Sequence, residues 1–187
     1  MTTYFPQAGP EFSEKTCALA LERAHELGIK SIVVASNTGA TARLLLGGVD
    51  NLVVVTHHVG FHNPGEDEMA ALERQELSAA GARLVTATHL LGGVERGVSS
   101  CFGGLYPGGI IAHTLRTFGQ GTKVCLEIAV MALDAGAIPW GQEVIAIGGS
   151  GRGADTSVVI KPAHAKDFFA SQVLEVICKP RTWEGMK

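Results

Sequence analysis

A turn of small and hydroxyl-bearing residues follows the apolar run SIVVA and precedes a short segment with helical spacing. The residues of this turn are Ser36, Asn37, Thr38, Gly39, Ala40 and Thr41. Free backbone N–H groups at a helix N-terminus attract anions, and the helix dipole adds positive potential, so the turn suits a phosphate. Ser36 or Thr38 equally suits the plainer role of capping the helix. The turn has neither the Gly-Lys-Ser/Thr of a Walker A loop nor a G-x-G-x-x-G pattern.

A second loop combines several glycines with one arginine. Its residues are Gly149, Ser150, Gly151, Arg152 and Gly153. Such a loop suits an oxyanion or the edge of a planar polar ring, because backbone N–H groups and a guanidinium both donate hydrogen bonds. A strand follows the loop instead of a helix, which excludes a dinucleotide-binding fingerprint. The alternative is a hairpin tip that needs positive φ, with Asp155 orienting Arg152.

Histidines follow two further predicted strands. We expect a small-molecule cleft lined by His58, Gly60, Phe61, His89 and Gly92, because carboxyl ends of parallel strands share one rim. His58 and His62 have the i, i+4 spacing of metal ligands on a helix. Gly60 and Pro64 oppose a helix there, and no glutamate lies as in H-E-x-x-H, so we predict no metal site.

Glu127 lies inside an otherwise apolar helical segment, and a buried carboxylate needs a partner. The possible partners are Arg152, a backbone cap, a ligand or a neighbouring subunit. Glu95 and Arg96 should reach the same rim, and the alternative for them is a solvated ion pair that contributes little. No G-x-S-x-G motif is present, and Ser99, Ser100 and Cys101 have no evident base near them in sequence, which disfavours nucleophilic catalysis.

The elements that position these residues alternate between strand and helix along most of the chain, which predicts an α/β sheet covered on both faces. The predicted strands are residues 31–35, 51–56, 83–88, 143–147, 157–160 and 173–178. The predicted helices are residues 16–27, with Ser13 as N-cap, then 38–46, 66–80, 109–118 and 122–135, with 92–109 as a loop or broken helix. About seven residues separate the strands near 147 and 155, too few for a parallel crossover, so this pair is antiparallel.

Composition limits the class of protein. The chain has 187 residues, 46% of them hydrophobic, which predicts a single domain over residues 1–187. A net charge of −3 argues against a nucleic-acid partner, and a charged fraction of only 18% suggests surface hidden in a homo-oligomer. No signal-like or membrane-spanning run is present, so we expect a cytoplasmic protein with no membrane partner. Widely spaced Cys17, Cys101, Cys125 and Cys178 are expected to be buried thiols.

Several long motifs, in order, resemble the stand-alone pyruvate-kinase C-terminal-domain-like proteins of archaea and bacteria. The motifs are VVASNTGATA, VVVTHHVGF, HLLGGVERGVSS, GTKVCLEIAVMALDAGAIP, GGSGRGADTSVVIKPAH and VICKPR. The resemblance extends over about residues 5–181. It implies a three-layer α/β/α sandwich on a mixed sheet of about five strands, one of them antiparallel, which agrees with the hairpin argument.

The resemblance also carries expectations about function. The (β/α)₈ barrel of pyruvate kinase has no counterpart here, so we expect no pyruvate kinase activity. In the full enzyme, the loop resembling residues 36–41 holds a phosphate of an allosteric sugar bisphosphate, and stand-alone relatives have been seen with FMN. This implies FMN with its phosphate at Ser36, Asn37, Thr38, Gly39 and Thr41. The histidine, glycine and arginine loops, together with Glu127, would then surround the flavin ring.

Three functions remain open at this point, one of them a structural subunit that works only through partners, which the low charge and the apolar helix at residues 122–135 allow. In a flavin-dependent oxidoreductase, FMN would supply the redox chemistry, Arg152 would stabilise negative charge on the reduced ring, and His58 or His89 would transfer protons. The alternative is a non-enzymatic sensor of a sugar phosphate or nucleotide, because no catalytic constellation in the sequence excludes it.

Overall fold

The computed structural model describes residues 1–183, and within them the chain forms one seven-stranded sheet. The strands are β1 (Thr3–Phe5), β2 (Ser31–Ala35), β3 (Asn51–Thr56), β4 (Arg83–Thr86), β5 (Val144–Gly148), β6 (Thr156–Lys161) and β7 (Gln172–Pro180). The α-helices are α1 (Ser13–Leu27), α2 (Ala40–Arg43), α3 (Ala71–Ala79), α4 (Gly93–Phe102), α5 (Pro107–Arg116) and α6 (Gln120–Asp134). Short 3₁₀ helices span Pro10–Phe12 and Ala165–Ala170.

The strands lie in the order β1-β7-β6-β5-β2-β3-β4. Strand β6 is antiparallel to both of its neighbours, and every other pair in the described sheet is parallel. The tight connection between Gly148 and Thr156, which pair directly across the two strands, explains the reversal at β5 and β6. The predicted mixed sheet with one antiparallel strand is therefore confirmed.

The expected number of about five strands is wrong, because the described chain has seven. Six of them match predicted strands to within a few residues. The strand that sequence reasoning missed is β1, whose three residues pair in parallel with Cys178, Lys179 and Pro180 of β7. Three residues carry too little periodicity to identify a strand, and β1 depends on a partner at the far end of the chain.

Helices cover both faces of the sheet, which gives the predicted three layers. On one face, α1, α2 and α3 pack against Ile32, Val34, Val54 and Ile145. On the other face, α6 packs against alternate residues of the same strands, such as Val33 and Val53. Central strands with two covered faces must be apolar throughout, which explains the continuous run at residues 31–35.

The segment at residues 92–109 is a broken helix, one of the two forms expected. Helix α4 ends where Gly103 and Gly104 adopt φ values of 73° and 92°, a region that favours glycine. Pro107 then begins α5, a position where its missing N–H costs nothing. The second helix therefore begins at residue 107 and not at 109.

The observed bounds of three other helices differ from the predicted ones. Ser13 lies inside α1 and does not cap it, because its hydroxyl donates to Pro10 O and accepts from Ala154 N–H. Helix α2 covers only Ala40–Arg43. Helix α3 begins at residue 71 and not at 66, because the carboxylate of Asp67 accepts from Met69 N–H in the preceding turn.

The four thiols divide into two groups. Cys17, Cys125 and Cys178 are buried as predicted, and burial raises the pKa of Cys17 to about 12 and that of Cys178 to about 11. The expectation for Cys101 is wrong, because α4 leaves it exposed. Among the described residues, no helix combines the length and the hydropathy that a membrane crossing requires.

The packing of α3 offers a direct test of the core. Leu77 is fully buried against the sheet, whereas Leu72 on the same helix is 66% exposed. We expect Leu77→Ala to lower the free energy of unfolding by about 2–5 kcal/mol because it leaves a cavity. Leu72→Ala is the matched control and should change it by less than about 0.5 kcal/mol. Urea denaturation followed by circular dichroism measures both, and equal effects would contradict this packing.

Candidate functional site

Three of the predicted loops meet at one rim of the sheet. Strand β2 lies between β3 and β5, and all three end at the same edge because they run in parallel. Ser36, His57 and Gly149 each come directly after one of these strands. The loop after β4, which contains His89, lies next to that of β3. Parallel pairing therefore brings distant loops together.

Asn37 and Glu68 hold the imidazole of His57 from both sides. The side-chain oxygen of Asn37 accepts a hydrogen bond from the backbone N–H of His57 at 2.9 Å. This turns Nδ2 of Asn37 toward Nε2 of the His57 ring, at 3.1 Å. Nε2 is then the acceptor, and Nδ1 carries the proton and donates to Glu68 Oε1 at 2.6 Å. Both ring nitrogens are thus engaged, and the ring orientation is fixed.

Aromatic and imidazole rings cluster around His57. Phe61 stacks on His57 with 3.8 Å between ring centroids, and His89 lies 5.1 Å from each of these two rings. His58 packs edge-on against Phe61 and His89. The guanidinium of Arg96 lies over the Phe61 ring at 5.5 Å. We call His57, His58, Phe61 and His89 the ring cluster.

One group of donors near the ring cluster has the composition of a metal site. The ligand atoms of His57, His62 and Glu68 lie within 4.8 Å of one another. The pair considered from the sequence is a different one, since His58 Nδ1 bonds instead to Val59 O at 2.8 Å. Asn37 selects the tautomer with a proton on His57 Nδ1, the nitrogen that faces Glu68. The absence of a metal site stays a prediction.

A polar cleft of about 200 Å³ opens beside the ring cluster, between α4, α5 and the start of α6. Its wall includes three cations, Arg96, Arg116 and Lys123, and two carboxylates, Glu95 and Glu127. Glu95 accepts from Gly108 N–H at 2.8 Å and so joins α4 to α5. The cleft thus carries more positive than negative side chains.

Lys123 and Glu127 form a buried ion pair one helical turn apart on α6. The second oxygen of Glu127 accepts from Leu91 N–H at 2.9 Å, so the partner of this carboxylate is a lysine and a backbone amide and not Arg152. Burial lowers the pKa of Lys123, Glu127 opposes this shift, and the charges of Arg116 and Arg96 lower it further. All three cations line the same cleft.

The predicted phosphate turn is largely occupied by its own chain. Ser36 is buried and its hydroxyl accepts from Ala42 N–H at 3.4 Å, which is the capping role considered as the alternative. Thr41 is also buried, whereas Thr38 is exposed. The Glu73 carboxylate fills the space where a side chain at Gly39 would lie, and it pairs with Arg43.

The glycine-rich loop packs away from the ring cluster, against the start of α1. A side chain at Gly153 would collide with Pro10 and Ser13, and one at Gly149 with the carbonyl of Gly153. Asp155 accepts from Ser150 N–H at 3.1 Å and from the Thr156 hydroxyl at 2.7 Å. Gly151 and Arg152 are exposed, and no hydrogen bond or ion pair joins Arg152 to another described residue. The expected orientation of Arg152 by Asp155 is therefore wrong.

The structure thus brings part of the predicted set together. The predicted residues that meet at the ring cluster or cleft are Asn37, His58, Phe61, His89, Gly92 and Glu127. Gly60 stabilises its own loop. Its N–H donates to Glu66 O, and its φ of 81° favours glycine. Sequence reasoning missed Lys123 and Arg116, although the i, i+4 spacing of Lys123 and Glu127 was an available signal. Arg96 reaches the rim, as expected, and lies over Phe61 and not in the alternative ion pair with Glu95.

His89 makes the stability of this site depend on pH. Burial lowers the pKa of His89 from 6.5 to about 4; Glu127 opposes this shift, and the neighbouring His57, Lys123 and His58 add to it. Between these two values the unfolded chain binds a proton at His89 that the folded chain does not. The free energy of unfolding therefore falls as the pH drops from 6.5 toward 4.

We expect His89→Gln to make that decline shallower, because glutamine does not titrate. Denaturant unfolding at a series of pH values measures the slope, and ¹H–¹⁵N NMR of the imidazole reports the pKa directly. His25→Gln, at an exposed position on α1, is the control and should leave the slope unchanged. A His89 that titrates near 6.5 would contradict the burial seen here.

Comparison with known proteins adds the family. The family model described as pyruvate kinase, alpha/beta domain, matches residues 14–160. Similar solved structures include three structures of pyruvate kinase from Cryptosporidium parvum, one of them in complex with ADP, with identities of 18%, 18% and 19%. Their TM-scores are 0.38, 0.40 and 0.37, and they cover 73%, 79% and 73% of this chain. The chain spans 20%, 22% and 20% of theirs, about a fifth of each.

The match to the family model extends over well more than half of the chain. It includes the ring cluster, α6, strands β2 to β5, and all but one terminal residue of α1 and of β6. The chain belongs to the pyruvate kinase alpha/beta domain family.

Proposed function

We propose that this protein binds a phosphate-bearing small molecule, FMN, in the polar cleft and across the neighbouring ring cluster. The observation that supports this most is the convergence of Arg96, Arg116 and Lys123 on one cleft. We expect the protein to bind this ligand without pyruvate kinase activity.

The phosphate end of the ligand belongs at the three cations. Glu127 is already engaged by Lys123 and by Leu91 N–H, and Glu95 by Gly108 N–H. An anion that enters the cleft therefore meets positive charge that the carboxylates do not fully offset. Arginine binds phosphate well because its planar guanidinium donates two parallel hydrogen bonds.

The turn at residues 36–41, at which the resemblance puts the phosphate, is a weaker anchor. The Glu73 carboxylate lies against Gly39, and a phosphate placed there would meet its negative charge. The same turn still contributes through Asn37, whose side chain orients His57.

The ring end of the ligand belongs at the ring cluster. Phe61 and the three imidazoles offer flat surfaces of the kind on which an aromatic ring system packs. The lowered pKa of His89 keeps its imidazole neutral at pH 7, so that it can both donate and accept a hydrogen bond. Bound FMN would supply redox chemistry, and the protein would orient it.

A second candidate function is a sensor of a sugar phosphate, and the size of the cleft favours it. Pockets that enclose a drug-sized ligand usually measure about 300–1,000 Å³. The cleft measures about 200 Å³, so a sugar phosphate would fill it, whereas FMN must extend over the ring cluster.

Titration with FMN and riboflavin tests the proposal and separates its two ends. We expect FMN to bind with a shifted visible absorption spectrum and riboflavin, which has no phosphate, to bind at least about tenfold more weakly. Arg116→Ala should weaken FMN binding about tenfold or more while leaving riboflavin affinity nearly unchanged, whereas Arg96→Ala, which also removes the guanidinium from the Phe61 ring, should weaken the binding of both. Arg83→Ala is the control, because Arg83 contacts Ala137 O and is not part of the cleft.

Glu73→Gln distinguishes the two phosphate positions. It removes negative charge next to Gly39, so it should strengthen FMN binding only if the phosphate lies in the turn. We expect no change. Binding of glucose 6-phosphate without any binding of FMN would favour the sensor, and binding of neither at millimolar concentration would overturn the proposed function.

A further inference from the structure

Helix α6 carries a lysine in a position where its other buried residues are mostly apolar. Lys123 has a side chain that is only 9% exposed, and it lines the cleft together with Glu127. A buried ion pair often stabilises a fold no better than apolar residues of similar volume do. Most of α6 is apolar and packs in the core, so stability alone is a weak reason for a lysine here.

The third cation of the cleft differs in chemistry from the other two. Arg96 and Arg116 already line the cleft, and an arginine offers a phosphate two parallel hydrogen bonds where a lysine offers a point charge. Lysine differs from arginine because its amine can lose a proton and then act as a nucleophile. Among residues 1–183, Lys123 is the only buried lysine.

The surroundings of Lys123 favour its neutral amine over those of an exposed lysine. Burial lowers the pKa of Lys123, Glu127 opposes this shift, and the charges of Arg116 and Arg96 lower the pKa further. Desolvation next to other cations is a common means of activating a nucleophilic lysine. Glu127 is in direct contact with the amine, so its carboxylate can accept the proton.

The size of the cleft limits the ligand that this amine meets. The cleft measures about 200 Å³, below the range of about 300–1,000 Å³ that encloses a drug-sized ligand. A short molecule with its phosphate at Arg96 and Arg116 has its other end in the same cleft as Lys123. We propose that Lys123 forms an imine with a small phosphorylated aldehyde or ketone, a step that rests on the phosphate-binding cleft of the proposed function.

Imine formation needs no reactant besides the amine and the carbonyl compound. Glu127 takes one proton from the ammonium of Lys123, and the lone pair of Nζ then forms a bond to the carbonyl carbon. A second proton passes from Nζ to the former carbonyl oxygen, which becomes a hydroxyl. The proton held by Glu127 goes to this hydroxyl, the C–O bond breaks, and water leaves. The product is a protonated imine, so the positive charge opposite Glu127 is retained.

Reductive trapping tests whether Lys123 is the nucleophile. Sodium cyanoborohydride reduces an imine to a secondary amine, and peptide mass spectrometry then identifies the modified lysine. With D-glyceraldehyde 3-phosphate at pH 7, we expect Lys123 to be modified at least about tenfold faster than Lys30 and Lys166, whose side chains are 76% and 82% exposed. Glyceraldehyde, which has no phosphate, should modify Lys123 at least about tenfold more slowly than the phosphorylated compound does.

Two variants and one competitor control this measurement. Lys123→Arg keeps a positive charge next to Glu127 but should abolish the fast modification, because a guanidinium does not form the imine. Lys166→Arg, at an exposed position outside the cleft, is the matched control and should leave the rate at Lys123 unchanged. Inorganic phosphate should slow modification of Lys123 but not of Lys30. The wild-type measurements stand by themselves if Lys123→Arg fails to fold.

Modification of Lys123 no faster than that of the exposed lysines would overturn the proposal, and so would equal rates with glyceraldehyde and its phosphate. FMN distinguishes this proposal from the proposed function. FMN binding without modification of Lys123 would contradict only the imine, whereas fast modification of Lys123 in a protein that does not bind FMN would contradict only the FMN site.

Discussion

The buried ion pair between Lys123 and Glu127 is the constraint on which the site depends. Burial of two charges carries a desolvation cost that their attraction offsets only when further hydrogen bonds satisfy them. Leu91 N–H provides one such bond to Glu127, and this fixes the loop after β4 against α6. The position of His89, two residues before Leu91, and of α4, which begins two residues after it, follows from that attachment.

The arrangement of the sheet explains why the site lies at this rim. Parallel strands bring the turns after β2, β3 and β4 side by side, so Asn37, His57 and His89 meet although they are far apart in sequence. Helix α6 packs against one face of the sheet and contributes Lys123 from its first turn. The charges of the cleft thus come from helices, whereas the rings come from loops.

Much of this architecture was predictable from local pattern. The runs at residues 31–35 and 51–56 identify strands with the observed bounds, because both of their faces are covered by helices. The short β5–β6 connection determines the antiparallel pair. Strand β1 was not predictable, since three residues carry no period and only β7 defines them. The local sequence pattern predicts the central strands and the helices, whereas the strands at the edges of the sheet depend on pairing between distant parts of the chain.

The candidate site was predictable only in part, for a related reason. Residue type identified His58, Phe61 and His89, because strand ends in a parallel sheet are natural positions for ligand contacts. The glycine-rich loop was interpreted from sequence as a ligand-binding loop. Its glycines are instead needed for the close approach of Gly149 to Gly153 and of Gly153 to Pro10. Sequence alone does not distinguish a glycine required by packing from one that admits a ligand.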